Sequence, residues 1–214
     1  MKKKAPRFDS GFTLVEMLIV IAISSILTGS LILTFSRARN NLSQSVSLVV
    51  SEIRDTQNKA LSGIRYQHTS ESFGGAVPRC GYGITPAANV NNRDRFRIYA
   101  GPNALTTNCT GEDTRFANGT ADKIVRAVSL PDANVEFKDA IAGDHFYDVF
   151  FVPPQGETFI DNIKTLGASA TNPGRIILGP IGVDCTAEPT KCRLICVYTS
   201  GKIELPNTLT CPGI

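Results

Sequence analysis

His68 and His145 are the only histidines among 214 residues, and neither sits in an H-E-x-x-H frame or beside a second histidine. No G-x-S-x-G elbow and no P-loop occurs. Gly81-Tyr82-Gly83 is too short to cradle a phosphate. Asp139, Asp144 and Asp148 lack EF-hand spacing, so solvated loop acids are the simpler reading. No C-x2-C pair exists, and the spacing of Cys185, Cys192 and Cys196 is not that of a zinc ribbon. The chain therefore offers no catalytic constellation, and the expectation is no enzyme activity, no cofactor and no metal. Proline is absent from residues 38–61, and Ile32, Leu33 and Thr34 supply none either, so nothing breaks a helix there. No internal repeat or low-complexity tract is apparent.

The formal net charge of +3 is unevenly placed. Lys2, Lys3, Lys4 and Arg7 stand against Asp9 in the first eleven residues, so of 22 basic and 19 acidic residues 18 of each remain beyond them. The basic balance belongs to the N-terminal stub and gives no support for a nucleic-acid partner. Four cations ahead of an apolar span hold an N-terminus on the cytoplasmic side, leaving the rest to face the periplasm or exterior. The six cysteines, Cys80, Cys109, Cys185, Cys192, Cys196 and Cys211, all follow that span. An even number confined to the exported part reads as up to three disulfides in an oxidising compartment. Six cysteines allow fifteen full pairings. Chain proximity alone favours Cys80–Cys109, Cys185–Cys192 and Cys196–Cys211.

Residues 12–35 form an apolar run broken by one carboxylate, Glu16. As a helix the run would be about 36 Å long, enough to cross a bilayer core. It is longer than a secretory h-region, and Ser36-Arg37-Ala38-Arg39-Asn40 offers no small-x-small cleavage site, so anchoring is favoured over removal. An ionised group in such a span costs about 2.5–3.5 kcal/mol at mid-bilayer and less near an end, which marks Glu16 as a functional residue. Ser24, Ser25, Thr28, Gly29, Ser30 and Thr34 dot the span. Their hydroxyls either bond their own helix backbone or permit close helix–helix packing, and the sequence leaves both open.

The order basic stub, Gly11-Phe12-Thr13-Leu14-Val15-Glu16, long apolar helix resembles the signal of type IV prepilins and pseudopilins. The resemblance implies cleavage after Gly11 and N-methylation of Phe12 by a prepilin peptidase/N-methyltransferase. It also implies that Glu16 of an incoming subunit meets the Phe12 ammonium of a neighbour in a filament of pilins or pseudopilins. Pairing would relieve the burial cost of both charges and fix the axial register.

Leu42, Val46, Val49, Ile53, Ala60 and Ile64 continue a helical stripe beyond the span, flanked by Val50 and Leu61. Ser43, Gln44, Ser47, Glu52, Arg54, Asp55, Asn58 and Lys59 make the opposite, polar face. Gly63 fits a C′ residue that ends the helix. One helix from about Phe12 to Ser62 is expected, roughly 75 Å long. The pattern then turns to period two. Strands are expected at residues 95–100, 124–130, 134–137, 147–152, 175–178, 193–198 and 202–205, with Ser200-Gly201 as a two-residue hairpin turn. The class is α+β: a pilin-like long helix, half membrane and half amphipathic, packed on an antiparallel sheet. The expected divisions are a leader over 1–11, a transmembrane half over 12–35, an amphipathic half over 36–62 and a β-rich domain over 63–214.

The β region is similar to the globular domain of GspH/FimT-type minor pseudopilins. Tyr147-Asp148-Val149-Phe150-Phe151-Val152-Pro153-Pro154-Gln155-Gly156 and the closing stretch from Arg193 to Ile203 carry that likeness. It implies a structural subunit of a type IV pilus or type II secretion pseudopilus. The implied location is the bacterial inner membrane, single pass through residues 12–35, with the domain periplasmic or extracellular. Two alternatives stay open. One is a DNA-binding minor pilin using Arg93, Arg95 and Arg97, which the neutral mature chain does not favour. The other is a membrane-anchored exported domain that does not assemble.

Overall fold

The computed structural model describes residues 14–66, 76–87, 92–105, 109, 122–138, 146, 148–154, 157–160 and 173–212, apart from the side chains of 30–40. The chain divides into two compact units, Met1–Asn40 and Asn41–Ile214. One α-helix, α1 (Leu14–Leu61), is followed by nine strands and one short 3-10 turn, Pro189–Lys191, among the described residues. The strands are β1 (Tyr82–Pro86), β2 (Arg95–Ala100), β3 (Lys123–Ser129), β4 (Val135–Phe137), β5 (Val149–Val152), β6 (Glu157–Ile160), β7 (Gly174–Pro180), β8 (Arg193–Val197) and β9 (Ile203–Glu204). One sheet has the order β3-β2-β1-β5-β6 and the other β4-β7-β8-β9. Every pairing is antiparallel. This is the α+β, pilin-like arrangement that the sequence implies.

α1 ends where its capping chemistry dictates. The Gly63 N–H donates to the Ala60 carbonyl and the Ile64 N–H to the Lys59 carbonyl, a Schellman closure with Gly63 at φ +60°. A side chain held in that left-handed region costs about 1–2 kcal/mol, which glycine avoids. Of the predicted stripe, Leu42, Val46, Val49, Ile53 and Ala60 are buried with Val50, whereas Ile64 and Leu61 stay exposed. The stripe stops short because the helix stops at Leu61.

Alternation supplies the rest of the core. Tyr82 and Ile84 of β1, Phe96, Ile98 and Ala100 of β2, and Val149 and Phe151 of β5 join the helix stripe from one sheet. Val135 and Phe137 of β4, Ile176 and Leu178 of β7, and Ile195 and Val197 of β8 join it from the other. Each buried aliphatic side chain contributes about 1.5–3 kcal/mol relative to exposure. A smaller cluster of Ile177, Cys185, Cys192, Leu194, Cys196 and Tyr198 packs separately, on the opposite face of the second sheet.

Two strands are present where none is expected, β1 and β6. β1 is wholly buried, yet its sequence carries Gly83 and ends on Pro86. A Cβ on Gly83 would lie 2.4 Å from the Tyr99 ring, and one on Gly81, just before the strand, 2.6 Å from the Phe150 ring. The glycines let Tyr99 and Phe150 lie flat on the sheet, stacked at 5.6 Å. Such a pair is worth about 0.5–1.5 kcal/mol beyond its burial. β6 buries Thr158 and leaves Phe159 half-buried, so its polarity does not follow its burial, and it gains its place by pairing with β5. The closing hairpin also differs from expectation. The Tyr198 N–H donates to the Lys202 carbonyl and the Gly201 N–H to the Tyr198 carbonyl. The loop therefore has three residues, 199–201, with Gly201 at φ +78°, the form in which a turn runs into a glycine bulge.

Glu52, predicted on the polar face, is buried. Its carboxylate accepts from Arg126 of β3, whose guanidinium also lies 3.6 Å from Asp55. Asp55 in turn holds Lys59 at 2.6 Å. The burial follows from the partner: a carboxylate taken out of water needs a cation, and β3 brings one. A second tie is Asn41 Nδ2, which donates to Asp132 Oδ2 at 2.6 Å. The Asn134 backbone N–H donates to Asp132 Oδ1 at 2.9 Å, closing the turn between β3 and β4.

Arg126→Ala should weaken the domain, because it strands the Glu52 carboxylate. Arg126 is 46% exposed, so solvent screening keeps the expected loss near ~1–2 kcal/mol. Exposed Arg54→Ala should stay within about 0.5 kcal/mol. Denaturant midpoints of the two variants check this, and equal midpoints would contradict it. Asp132 gives a pH prediction. The Asn134 backbone N–H first, then the Asn41 and Asn134 side chains, hold its carboxyl below the usual carboxylate value. A depressed folded pKa means stability present above about pH 4 that is lost as pH falls through the folded value. Asp132→Asn should flatten the acid side of the stability–pH curve. Parallel curves for variant and parent would contradict the assignment.

Candidate functional site

Every described residue from Leu14 to Gly29 is exposed. Leu14 is 77% and Ile26 73% exposed, so this is an apolar surface all round rather than a stripe. A helix apolar on all sides is stable only when something else covers it. Glu16 sits in the first described turn of α1, exposed among Leu14, Val15 and Met17. A carboxylate in a first turn is favoured by the helix dipole by about 0.3–1 kcal/mol, and it is the only ionisable group on the described apolar surface.

Two hydroxyls within this surface bond their own backbone. Ser25 Oγ donates to the Ile21 carbonyl and Thr28 Oγ1 to the Ser24 carbonyl, both at 2.7 Å. Their polarity is therefore met inside the helix and places no demand on what covers it. Val20, Ile21, Ser24, Ser25, Thr28 and Gly29 line a shallow groove, and a Cβ added at Gly29 would meet nothing within 4 Å. The surface is thus smooth there and able to accept another helix closely. Ser30 and Thr34 lie outside the described side chains, and Gly11 and Phe12 outside the described residues. Among the described residues no helix is long and apolar enough to cross a membrane.

The cysteines are joined as Cys80–Cys109, Cys185–Cys192 and Cys196–Cys211, each pairing with the next along the chain. His68, His145, Asp139 and Asp144 lie outside the described residues. Asp148 is buried and accepts a hydrogen bond from the Tyr99 hydroxyl at 2.6 Å. Among the described residues no group of three or more histidines, cysteines or acids could hold a metal ion.

Lys202, the cation of the closing hairpin, lies 2.5 Å from Glu204 and over the Tyr198 ring. Arg93 and Arg95 are exposed and Arg97 half-buried, with Arg95 Nε 3.6 Å from Asp94. Sequence reasoning missed Arg126 and Asp132, which fasten the amphipathic half of α1. Their partners lie 74 and 91 residues away, so no local pattern could have announced them.

No curated protein and no solved structure matches the chain. Residues 6–32 match the family model described as the prokaryotic N-terminal methylation motif. That interval takes in Gly11, Phe12 and Glu16, and it supports a type IV pilin-like prepilin.

Proposed function

We propose that the chain is a minor pilin or pseudopilin of the GspH/FimT type, a structural and non-catalytic subunit of a type IV pilus or type II secretion pseudopilus. In this reading it inserts in the bacterial inner membrane through residues 12–35, with the domain periplasmic or extracellular. A prepilin peptidase/N-methyltransferase removes residues 1–11 and methylates Phe12. Glu16 then docks against the Phe12 ammonium of a neighbouring pilin. The observation that carries the reading is Glu16 set in an otherwise apolar, exposed helix surface inside the methylation-motif match. The three disulfides, all after the apolar run, suit an oxidising compartment.

Glu16 is the residue on which assembly depends. In a dry helix bundle its charge and the Phe12 ammonium each cost free energy alone and offset one another when paired. In water or at a lipid interface the same glutamate would gain little from such a partner. A DNA-binding role draws no support from the closing hairpin, where Lys202 is engaged by Glu204, or from the start of β2, where Arg95 lies beside Asp94.

Glu16→Val tests the reading. The variant should still insert and be processed, yet its incorporation into sheared surface filaments should fall by at least ~10-fold, the equivalent of about 1.4 kcal/mol of lost docking energy. Unchanged incorporation would favour a membrane-anchored domain that does not assemble.

A further inference from the structure

Residues 205–212 run across the small cluster formed by Ile177, Leu194 and Tyr198 on the second sheet, and few contacts hold them. Leu209 and Cys211 are the residues that enter the cluster, each only partly buried. Among the described residues no backbone–backbone hydrogen bond fastens the segment. Its polar ties are Arg175, which donates to the Leu209 carbonyl at 3.3 Å, and Tyr198. The Tyr198 hydroxyl shares its proton between Glu204 Oε2 at 2.7 Å and the Pro212 carbonyl at 3.0 Å. The covalent tie is Cys196–Cys211. Cys196 is fully buried in β8, whereas Cys211 is partly exposed, so a reductant reaches the bridge from the segment's side.

We propose that residues 205–212 form a redox-sensitive strap, latched by Cys196–Cys211 and released when that bridge is reduced. Ordering a mostly exposed segment costs conformational entropy at every residue. Two hydrogen bonds and the half-buried Pro206 and Leu209 do not offset that cost without the covalent link, which makes docking intramolecular. The opening step is thiol–disulfide exchange with a dithiol. A dithiol thiolate attacks Cys211 Sγ and expels the Cys196 thiolate, which takes up a proton. The second thiol of the reductant then closes on the first, displacing Cys211 as a thiol. The dithiol is oxidised by two electrons to a cyclic disulfide, and the protein bridge is reduced to two thiols.

Release has two structural consequences. It uncovers the apolar face of Ile177, Leu194 and Tyr198. It also removes one wall, Leu205, Pro206 and Asn207, from the groove whose other side is Ser43, Val46 and Ser47 of α1. The main core shares no residue with the strap cluster, so helix and sheets stay folded while the strap opens. Cys185–Cys192 is more enclosed, with both cysteines buried, and outlasts Cys196–Cys211.

The test uses the full chain in mild detergent, titrated with dithiothreitol and probed with chymotrypsin, which within this segment cuts after Leu209, the Leu205–Pro206 bond being resistant. Alkylation and mass spectrometry report which bridge is open at each point. Cleavage within 205–212 should rise by at least ~5-fold as Cys196–Cys211 opens, with Cys185–Cys192 intact and far-UV circular dichroism unchanged. Cys211→Ser should show the raised rate without reductant. A smaller rise overturns the proposal. So does earlier opening of Cys185–Cys192, or loss of the dichroism together with the bridge.

Discussion

An apolar helix surface cannot remain in water, and Leu14 to Gly29 present one on every side. That single requirement organises the molecule. The described residues contain nothing that covers this surface, whereas the second half of α1, from Asn41, is covered by the domain that the chain itself supplies. One helix thus carries two kinds of debt to solvent. The domain settles one internally, and membrane and neighbouring subunits settle the other in the proposed function. Glu16 is the ionisable exception among the described residues of the uncovered half, and an exception of that kind is selective only where its surroundings are dry.

The domain is built to hold its helix firmly. Two antiparallel sheets each turn alternate side chains toward α1, so the stripe from Leu42 to Ala60 meets apolar residues from both. Charge adds specificity to that packing. Glu52 is buried only because Arg126 reaches it from β3, and Asn41 is fixed by the carboxylate of Asp132. On the far side of the second sheet, packing is sparse, and two disulfides stand where a larger core would otherwise be needed. At the closing hairpin, burial and the neighbouring Glu204 raise the Tyr198 hydroxyl to about 12. It remains a proton donor throughout the neutral range.

Much of this architecture is legible from the residues alone, for identifiable reasons. The helix announces itself through the stripe, the missing prolines and Gly63. β2 announces itself through alternation at Phe96 and Ile98, and β8 through the short apolar run from Leu194 to Val197, buried on both faces. β1 stays hidden because its glycines serve the rings of Tyr99 and Phe150, which come from other strands. Propensity there is overridden by packing between residues distant in the chain. Glu52 misleads for the same reason, since a period-3.6 reading places it by polarity and cannot see Arg126. The hairpin at 199–201 is found in the right place with one residue too few, because Ser200-Gly201 fits both turn forms until the Tyr198–Lys202 pairing is known. Gly11, Phe12 and Glu16 are the opposite case. Their meaning lies in order and spacing along the chain, which is why the N-terminal motif is recognisable while the domain matches no solved structure.

Intact-mass measurement of the membrane-extracted protein tests the central claim most directly. The account predicts a chain beginning at Phe12, lacking residues 1–11 and carrying one added methyl group. A full-length, unmethylated mass would contradict it.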